Sequence, residues 1–240
     1  MLIKLYITSS QISLTMHRIL VIAPHADDET LGCGGLMAKA AAAGDEVFAL
    51  IATNASVGAP ELFTSEQIAV IRAEARAAHA LLGVQETRFL ELPAPALDQY
   101  PAYQIAGALS QVIRELQPDT LYIPHRGDAH KDHRAIHEAA LVAARPFPDA
   151  CVRNIYAYET LSETEWAEPT GTEVFVPTRF EALSEEEFAL KLKAMACYAS
   201  QLKPFPASRS LEAIEALGKW RGATVGRVRA EAFEVIRELN

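Results

Sequence analysis

The chain has 240 residues, of which 50% are hydrophobic and 22% are charged, a balance typical of a globular protein with a sizeable core. Its formal net charge of −9 argues against nucleic acid as a partner, because phosphate binding needs a basic surface. No apolar stretch approaches the length of a transmembrane segment.

The N-terminus and the cysteines bear on where the protein works. The first apolar run is short and broken by Ser and Thr, so it makes a poor signal peptide. We expect residues 1–240 to form one domain, with residues 1–17 as an N-terminal extension and Met16 as an alternative start. The three cysteines, Cys33, Cys151 and Cys197, are odd in number and far apart, which favours a cytoplasmic location.

Short β-rich runs alternate with helical stretches along most of the chain. In chain order we predict strand 18–25, helix 28–43, strand 46–53, helix 65–83, strand 87–92, helix 102–117, strand 120–125, helix 131–144 and strand 154–160. The pattern then loosens, and we predict strand 173–177 and helices at about 184–202, 208–218 and 226–238. Apolar strands separated by helices indicate an α/β fold, a Rossmann-like three-layer sandwich with a mostly parallel central sheet.

Two polar clusters follow strands of this predicted sheet. His25 comes directly after the first strand, and the segment "HRGDAHKDH" (125–133) comes after the fourth. Ligands of open α/β sheets bind at the carboxyl ends of the strands, so we expect both clusters to form one site at that edge.

The segment "VIAPHADDETLGCGG" (21–35) has a structural and a functional interpretation. Asp28 suits a helix N-cap, and Asp27 and Glu29 suit the positive end of the helix dipole, but neither role explains His25. The glycines do not form the GxGxxG spacing of a dinucleotide site, and the acids would stand where a pyrophosphate needs backbone amides. A bound metal ion accounts for the histidine and the acids together.

The second cluster supplies further ligands for a metal. His130 and His133 lie three residues apart at the start of a helix, so they can face the same side. Two histidines and a carboxylate, with one position open to water, make the usual catalytic zinc site. We interpret His79 and His137 as ordinary helix-face residues, and we expect His125 to line the site without a defined role.

These motifs resemble those of the PIG-L-type (LmbE-like) zinc de-N-acetylases. "PHADDE" matches the family's P-H-x-D-D-E motif, and "HKDH" (130–133) matches its H-x-D-H motif, in the same order and at equivalent strand ends. The resemblance extends over residues 18 to about 238. It implies that His25, Asp28 and His133 bind Zn²⁺ and that Asp27 is the general base that deprotonates the attacking water.

The resemblance also implies supporting roles for other residues. His130 would stabilise the oxyanion or protonate the leaving amine, Asp132 would hold a histidine in place, and Glu29 would support the loop. Some members carry a Tyr where this chain has Asp128, which would instead bind a sugar hydroxyl or anchor the loop. Arg72 is the nearest match to an arginine that contacts substrate, and an ordinary solvated helix charge is the alternative for it.

Three functional hypotheses follow from these residues. The first is a zinc hydrolase that removes acetyl from an N-acetylated amino sugar, an N-acetylglucosamine-type conjugate. The second is a zinc amidase acting on a natural-product or thiol-precursor glycoside. The third is a non-catalytic carbohydrate-binding protein, although a paired base and acid would be superfluous there. The expected partner is thus a small-molecule amino-sugar conjugate, and formation of a homo-oligomer is left open.

Overall fold

The computed structural model describes residues 16–239, so nearly all of the predicted N-terminal extension lies outside the described residues. The elements, in chain order, are β1 (Arg18–Ala23), α1 (Asp28–Ala43), β2 (Glu46–Asn54), α2 (Ala55–Gly58), α3 (Ser65–Leu82), β3 (Glu86–Pro93), α4 (Ala102–Leu116), β4 (Thr120–Pro124), α5 (Lys131–Ala143), β5 (Asn154–Tyr158), β6 (Arg179–Ala182), α6 (Glu185–Cys197), α7 (Leu211–Ala223) and β7 (Ala230–Arg237). Short 3₁₀ helices lie at Leu97–Gln99 and Gly171–Glu173.

The seven strands form one sheet in the order β3-β2-β1-β4-β5-β7-β6. Strands β1 to β5 are parallel to their neighbours, and β7 runs antiparallel between β5 and β6. The predicted α/β sandwich with a mostly parallel sheet is therefore confirmed. Since β1 lies between β2 and β4, the two loops that follow β1 and β4 are neighbours at the carboxyl edge.

Each face of the sheet carries its own apolar core. Alternate residues of β1 point to opposite faces, with Ile19 and Val21 in one core and Leu20 and Ile22 in the other. The first core packs against α1, α3 and α6, and the second against α4 and α5. Within residues 16–239 no helix combines the length and apolar character needed to cross a membrane.

Helix ends follow the chain's capping residues. Gly44 and Gly83 end α1 and α3 with φ values of 92° and 74°, in the left-handed region that glycine tolerates. Helix α3 begins after Thr64, whose side chain accepts from the Gln67 amide while the Gln67 side chain accepts from the Thr64 amide. This capping box fixes the start of α3, which lies near the carboxyl edge of the sheet.

The C-terminal third differs from the sequence prediction. The predicted helix at 226–238 is wrong, because this segment forms strand β7 between β5 and β6. The predicted strand at 173–177 is also wrong, and pairing with β7 begins instead at Arg179. Pro177 has no N–H to donate to a ladder, so the strand forms only beyond it. The two intervening helices are present as α6 and α7, with α6 ending earlier than expected.

Candidate active site

The residues predicted to form the site meet at the carboxyl edge of the sheet. His25 follows β1, Asp28 is the first residue of α1, and His130 and His133 stand at the start of α5 behind β4. The ring centroids of His25 and His130 are 4.6 Å apart, and those of His25 and His133 are 5.4 Å apart. The two motifs, separated by about a hundred residues in sequence, thus form one cluster.

Asp27 occupies an unusual position at the entrance to α1. It is the N-cap residue, with φ at 117°, and its side chain makes no capping hydrogen bond, so the expected Asp28 cap is not found. A positive φ is uncommon outside glycine and tends to persist where function requires it. The Asp27 side chain is buried, and neither carboxylate oxygen has a hydrogen-bond partner among residues 16–239. Its oxygens therefore remain open to a ligand.

His25, Asp28 and His133 offer ligand atoms that all lie within 4.8 Å of one another. Asp28 Oδ2 lies 3.5 Å from His25 Nδ1 and 3.2 Å from His133 Nε2. Asp28 Oδ1 and His133 Nε2 are buried without a hydrogen-bond partner in the described part of the chain. Buried polar atoms normally have partners, and a cation would satisfy these two. Two imidazoles and a carboxylate are a donor set that suits Zn²⁺.

Two further carboxylates orient the imidazoles of this group. Asp132 Oδ2 lies 3.1 Å from His25 Nε2, which leaves Nδ1 of that ring facing Asp28. Asp128 Oδ2 lies 2.8 Å from His133 Nδ1, which leaves Nε2 facing Asp28. Carboxylates behind metal-binding histidines commonly fix the ring and its tautomer in this way.

The surroundings of Asp128 bear on its two predicted roles. Asp128 is fully buried, its Oδ1 accepts from the Thr164 hydroxyl at 2.6 Å, and it does not line the cavity. These contacts favour anchoring of the loop, and the predicted contact with a substrate hydroxyl stays a prediction. The contacts with His133 and Thr164 connect this loop to α5 and to the segment after β5, which supports the loop-anchoring alternative.

A second group, His25, His130 and Asp132, also has ligand atoms within 4.8 Å of one another. Its carboxylate already accepts from the Leu97 backbone amide at 2.9 Å. His130 Nδ1 accepts from the Asp132 backbone amide at 3.1 Å, which leaves Nε2 as its free ring nitrogen. Because these atoms already have hydrogen-bond partners, the second group is the weaker metal site. The Nε2 atom of His130 therefore remains available for another role.

Burial and close charges shift the acidities of the cluster. Burial alone would lower the pKa of His25, but Asp132 and Asp28 outweigh it and raise that pKa to about 9. His133 behaves likewise, with Asp28 and Asp128 raising its pKa to about 10 against the effect of burial. Burial raises the pKa of Asp27 to about 8, although Arg209 opposes the shift. Burial and the neighbouring His25 lower the pKa of His130.

A cavity of about 280 Å³ opens over this cluster. His25, Asp27 and His130 line it together with two residues that sequence reasoning missed, Glu163 and Arg209. Arg209 Nη1 lies 3.3 Å from Asp27 Oδ2, and Glu163 Oε2 accepts from the His130 backbone amide at 3.1 Å. Both residues lie in irregular segments outside either motif, so no sequence signal marks them.

Arg72 lies at the wall of the cavity, on α3. Its guanidinium donates to the Glu91 carboxylate at 2.7 Å and to the Leu90 carbonyl at 3.3 Å, and it stacks over Phe89 at 5.0 Å. The side chain thus faces the cavity region and is neutralised by Glu91. It is more than a solvated helix charge, although its contact with substrate stays a prediction.

The remaining histidines differ in part from expectation. His79 is buried, with Nε2 at 3.1 Å from Glu29 and Nδ1 at 2.7 Å from Thr87, so it is not an ordinary helix-face residue. Glu29 also accepts from the Tyr198 hydroxyl and from the Asp27 amide, which supports the loop as predicted.

Two other histidines do not belong to the lining of the cavity. His125 bonds Glu234 at 2.9 Å and does not line the cavity, contrary to expectation. His137 lies 2.9 Å from the Pro124 carbonyl and is buried rather than exposed on its helix face.

The fold and the site define a class of three-layer α/β proteins with a histidine and carboxylate cluster at the carboxyl edge of the sheet. Residues 20–144 match the family model described as PIG-L, GlcNAc-PI de-N-acetylase, and the chain belongs to this family.

Similar proteins agree with this assignment. An uncharacterized deacetylase, YaiS, from Escherichia coli K12 is 30% identical over 182 residues, which cover 74% of this chain and 88% of that protein. A 1D-myo-inositol 2-acetamido-2-deoxy-alpha-D-glucopyranoside deacetylase from Kineococcus radiotolerans is 32% identical over 159 residues, covering 52% of this chain and 44% of the relative. This chain therefore spans less than half the length of that second relative. The crystal structure of the conserved protein TT1542 from Thermus thermophilus matches with a TM-score of 0.75 at 26% identity, covering 94% of this chain and 97% of the other.

Proposed function

We propose that this protein is a zinc-dependent N-deacetylase that hydrolyses the acetamide of an N-acetylated amino sugar of the N-acetylglucosamine type. The observation that carries the proposal is the unbonded, buried carboxylate of Asp27 beside the group His25, Asp28 and His133. The family description and the relative that acts on a 2-acetamido-2-deoxy sugar support the substrate class. We also propose a cytoplasmic location, which the spacing of the three cysteines supports.

The reaction adds water across the amide C–N bond and yields acetate and a free amine. A zinc ion held by His25, Asp28 and His133 would supply Lewis acidity, polarising the carbonyl and making water more acidic. Asp27 takes the proton from the attacking water as the new C–O bond forms. The same group can return a proton to the nitrogen as the C–N bond breaks.

His130 and Arg209 complete the proposed machinery. The Nδ1 of His130 accepts a backbone hydrogen bond, so Nε2–H can donate to the oxyanion or, when the ring is charged, protonate the leaving amine. Arg209 lies 3.3 Å from Asp27 and holds that carboxylate in the cavity. A protein that only binds carbohydrate would need neither the base nor the acid, which makes the non-catalytic alternative the weaker one.

The experiment that tests the proposal combines metal analysis with a panel of N-acetylated amino sugars. We expect about one zinc per chain and release of acetate from at least one glucosamine-type amide. His133→Ala removes one of three ligands and should lose most of the zinc and the activity. His17→Ala is the matched control, because His17 is exposed and far from the site, with its ring 3.6 Å from Asp119. Full zinc content in His133→Ala would exclude this residue as a ligand, and no acetate release across the panel would exclude the activity.

A further inference from the structure

The cavity over the cluster has two unlike halves. The half nearest the cluster is polar, with Asp27, His130, Glu163 and Arg209. A second wall, which comes from the end of β2, the start of α3 with the loop before it and the loop after β3, is mainly apolar. It consists of Ile51, Phe63, Ile68, Ile71, Ala94 and Pro95, with Thr53 and Arg72 among them. A polar substrate group therefore suits the half nearest the cluster, and an apolar substrate group suits the other half.

The polar groups near the apolar wall are largely engaged by the protein itself. The Thr53 hydroxyl donates to the Pro24 carbonyl at 2.8 Å. The Arg72 guanidinium is paired with Glu91 at 2.7 Å. Sugar hydroxyls placed against this wall would lose water without gaining matched partners, which is unfavourable. An apolar group would lose no hydrogen bonds there and would release water from the wall.

The size of the cavity limits what the two halves hold. Its volume of about 280 Å³ is near the lower end of ligand pockets, roughly 300–1,000 Å³. An acetyl group fills little of that space, and the polar half offers Glu163 and Arg209 as partners for sugar hydroxyls. Phe63 is 37% exposed and Pro95 is exposed, so the apolar wall reaches the mouth of the cavity. A group attached to the amino sugar can therefore lie along this wall and extend outward.

We propose that the substrate is an N-acetylated amino sugar that carries an apolar aglycone, an aryl or alkyl group, bound against the wall that Phe63, Ile68 and Ile71 form. The inference rests on the proposed deacetylase function and adds the chemical class of the aglycone. The polar half of the cavity binds the sugar and its acetamide, and the apolar wall selects what is attached to the sugar.

The test compares kcat/KM for acetate release from the methyl, phenyl and octyl glycosides of N-acetylglucosamine by the zinc-loaded protein. Burial of a ring-sized apolar group predicts a roughly 10- to 100-fold preference for the phenyl and octyl compounds over the methyl compound. Equal values for the three glycosides overturn the inference. Hexanoate release from a methyl glycoside with an N-hexanoyl group is the further arm, and a preference for that compound alone would assign the wall to the acyl chain and overturn the inference as well.

Adjacent residues on α3 provide a matched pair of variants. Ile71→Ser makes the wall polar and should reduce the preference for the phenyl glycoside by about 10-fold. Val70→Ser makes the same chemical change one residue earlier, but Val70 is 54% exposed and does not line the cavity, so the preference should persist. Phe63→Ser, in the loop before α3, gives a second wall variant that leaves the cores untouched. Equal losses in Val70→Ser and the wall variants would contradict a specific role for the wall.

Binding of the amine products separates this inference from the proposed function. Calorimetry of the zinc-loaded protein should show tighter binding of phenyl glucosaminide than of methyl glucosaminide, and Ile71→Ser should abolish the difference. If no amide of the panel releases acetate, the proposed function fails while this binding difference still supports an apolar-aglycone site. Equal binding of the two amines overturns the inference, whether or not acetate is released.

Discussion

Asp27 combines a strained backbone with an unsatisfied carboxylate, and the two features have one explanation. The positive φ of 117° turns its side chain out of the capping position, so that both oxygens stay free of protein hydrogen bonds. Arg209 at 3.3 Å provides charge balance without saturating the carboxylate. A residue held in this way is available to exchange a proton with a ligand in the cavity.

We therefore expect Asp27→Asn to keep its zinc and to lose activity by roughly 10²- to 10⁴-fold, since the amide cannot accept a proton. Asparagine also tolerates a positive φ, so the loop should keep its conformation. Zinc content and kcat for acetate release measure the two properties separately. Turnover close to that of the wild type would show that another group serves as the base.

The buried position of Asp128 gives a different expectation. Asp128→Asn weakens the bond that fixes the His133 tautomer, so zinc affinity should fall by roughly 10- to 100-fold. At saturating zinc, KM for the substrate should remain near the wild-type value, because Asp128 does not line the cavity. Chelator competition and steady-state kinetics test both statements. A raised KM with unchanged zinc affinity would instead support the predicted contact between Asp128 and a sugar hydroxyl.

The site residues that the sequence predicted are those that lie within short motifs of metal-binding or acid–base side chains. His25 and Asp28 lie together in one motif, and His130 and His133 lie in another, so their spacing predicts a shared role. Arg209 could not be found in this way, because it lies in an irregular segment and meets Asp27 only through the tertiary fold. Contacts between such distant segments leave no periodic signal in the chain.

At the scale of elements, side chains from α6 and β7 bind the middle of helix α1. The Lys191 ammonium donates to the Leu31 carbonyl at 2.7 Å and to Glu231 at 2.6 Å. Glu231 in turn accepts from the backbone amides of Gly35 and Leu36. This buried ion pair ties α6 and β7 to the helix that presents the Asp27 and Asp28 carboxylates.

The glycines of "LGCGG" are explained by the same packing. A Cβ at Gly34 would lie 3.0 Å from the Lys191 side chain, and one at Gly35 would lie 2.2 Å from Leu183. At Gly32 a Cβ would meet the Tyr158 ring at 2.2 Å. Close approach of side chains to the helix, rather than a phosphate-binding turn, thus requires glycine here.

Lys191→Met should destabilise the protein by about 3–5 kcal/mol, because it leaves the buried Glu231 charge without its partner. Lys39→Met is the matched control on the surface of α1, where the partly exposed pair with Glu181 should contribute at most about 1 kcal/mol. Urea unfolding of the metal-free proteins measures both differences. Losses of similar size in the two variants would contradict the central role of the buried pair.

The same contacts explain why the C-terminal segment forms strand β7 where the sequence predicted a helix. Residues 226–238 are rich in Glu, Arg and Ala, which favour a helix locally. The segment nevertheless lies between two strands, where Ala230, Ala232 and Phe233 are buried and Glu231 reaches α1. Tertiary packing outweighs local propensity here, whereas strands such as β1, β2 and β4 were predictable because each is built on a continuous apolar run.

At the scale of the whole molecule, protonation of the histidine and carboxylate cluster affects stability and, under the proposed function, zinc binding. In the metal-free protein the pKa values of His25 and His133 are raised to about 9 and about 10 from an ordinary value of 6.5. Groups with a raised folded-state pKa contribute stability fully below pH 6.5, and this contribution is lost as the pH rises through about 9 to 10. Burial also raises the pKa of Asp27 from an ordinary value of 3.8 to about 8, so its contribution to stability is present below about pH 4 and is lost as the pH rises to about 8.

Zinc requires neutral imidazoles as ligands, so its binding at the proposed site would displace the protons of His25 and His133. The apparent zinc affinity should therefore rise by up to roughly 100-fold per pH unit while both rings are charged, and level off above their pKa values. Because the metal-free protein loses stability over the same range, the increase in Tm produced by saturating zinc should be larger near pH 8.5 than near pH 6.5. Thermal unfolding with and without zinc at both pH values measures this, with His133→Ala as the control that should show little increase at either. An increase in Tm that is independent of pH in the wild type would mean that these histidines are already neutral without the metal, contrary to the ion pairs that Asp28, Asp128 and Asp132 form with them.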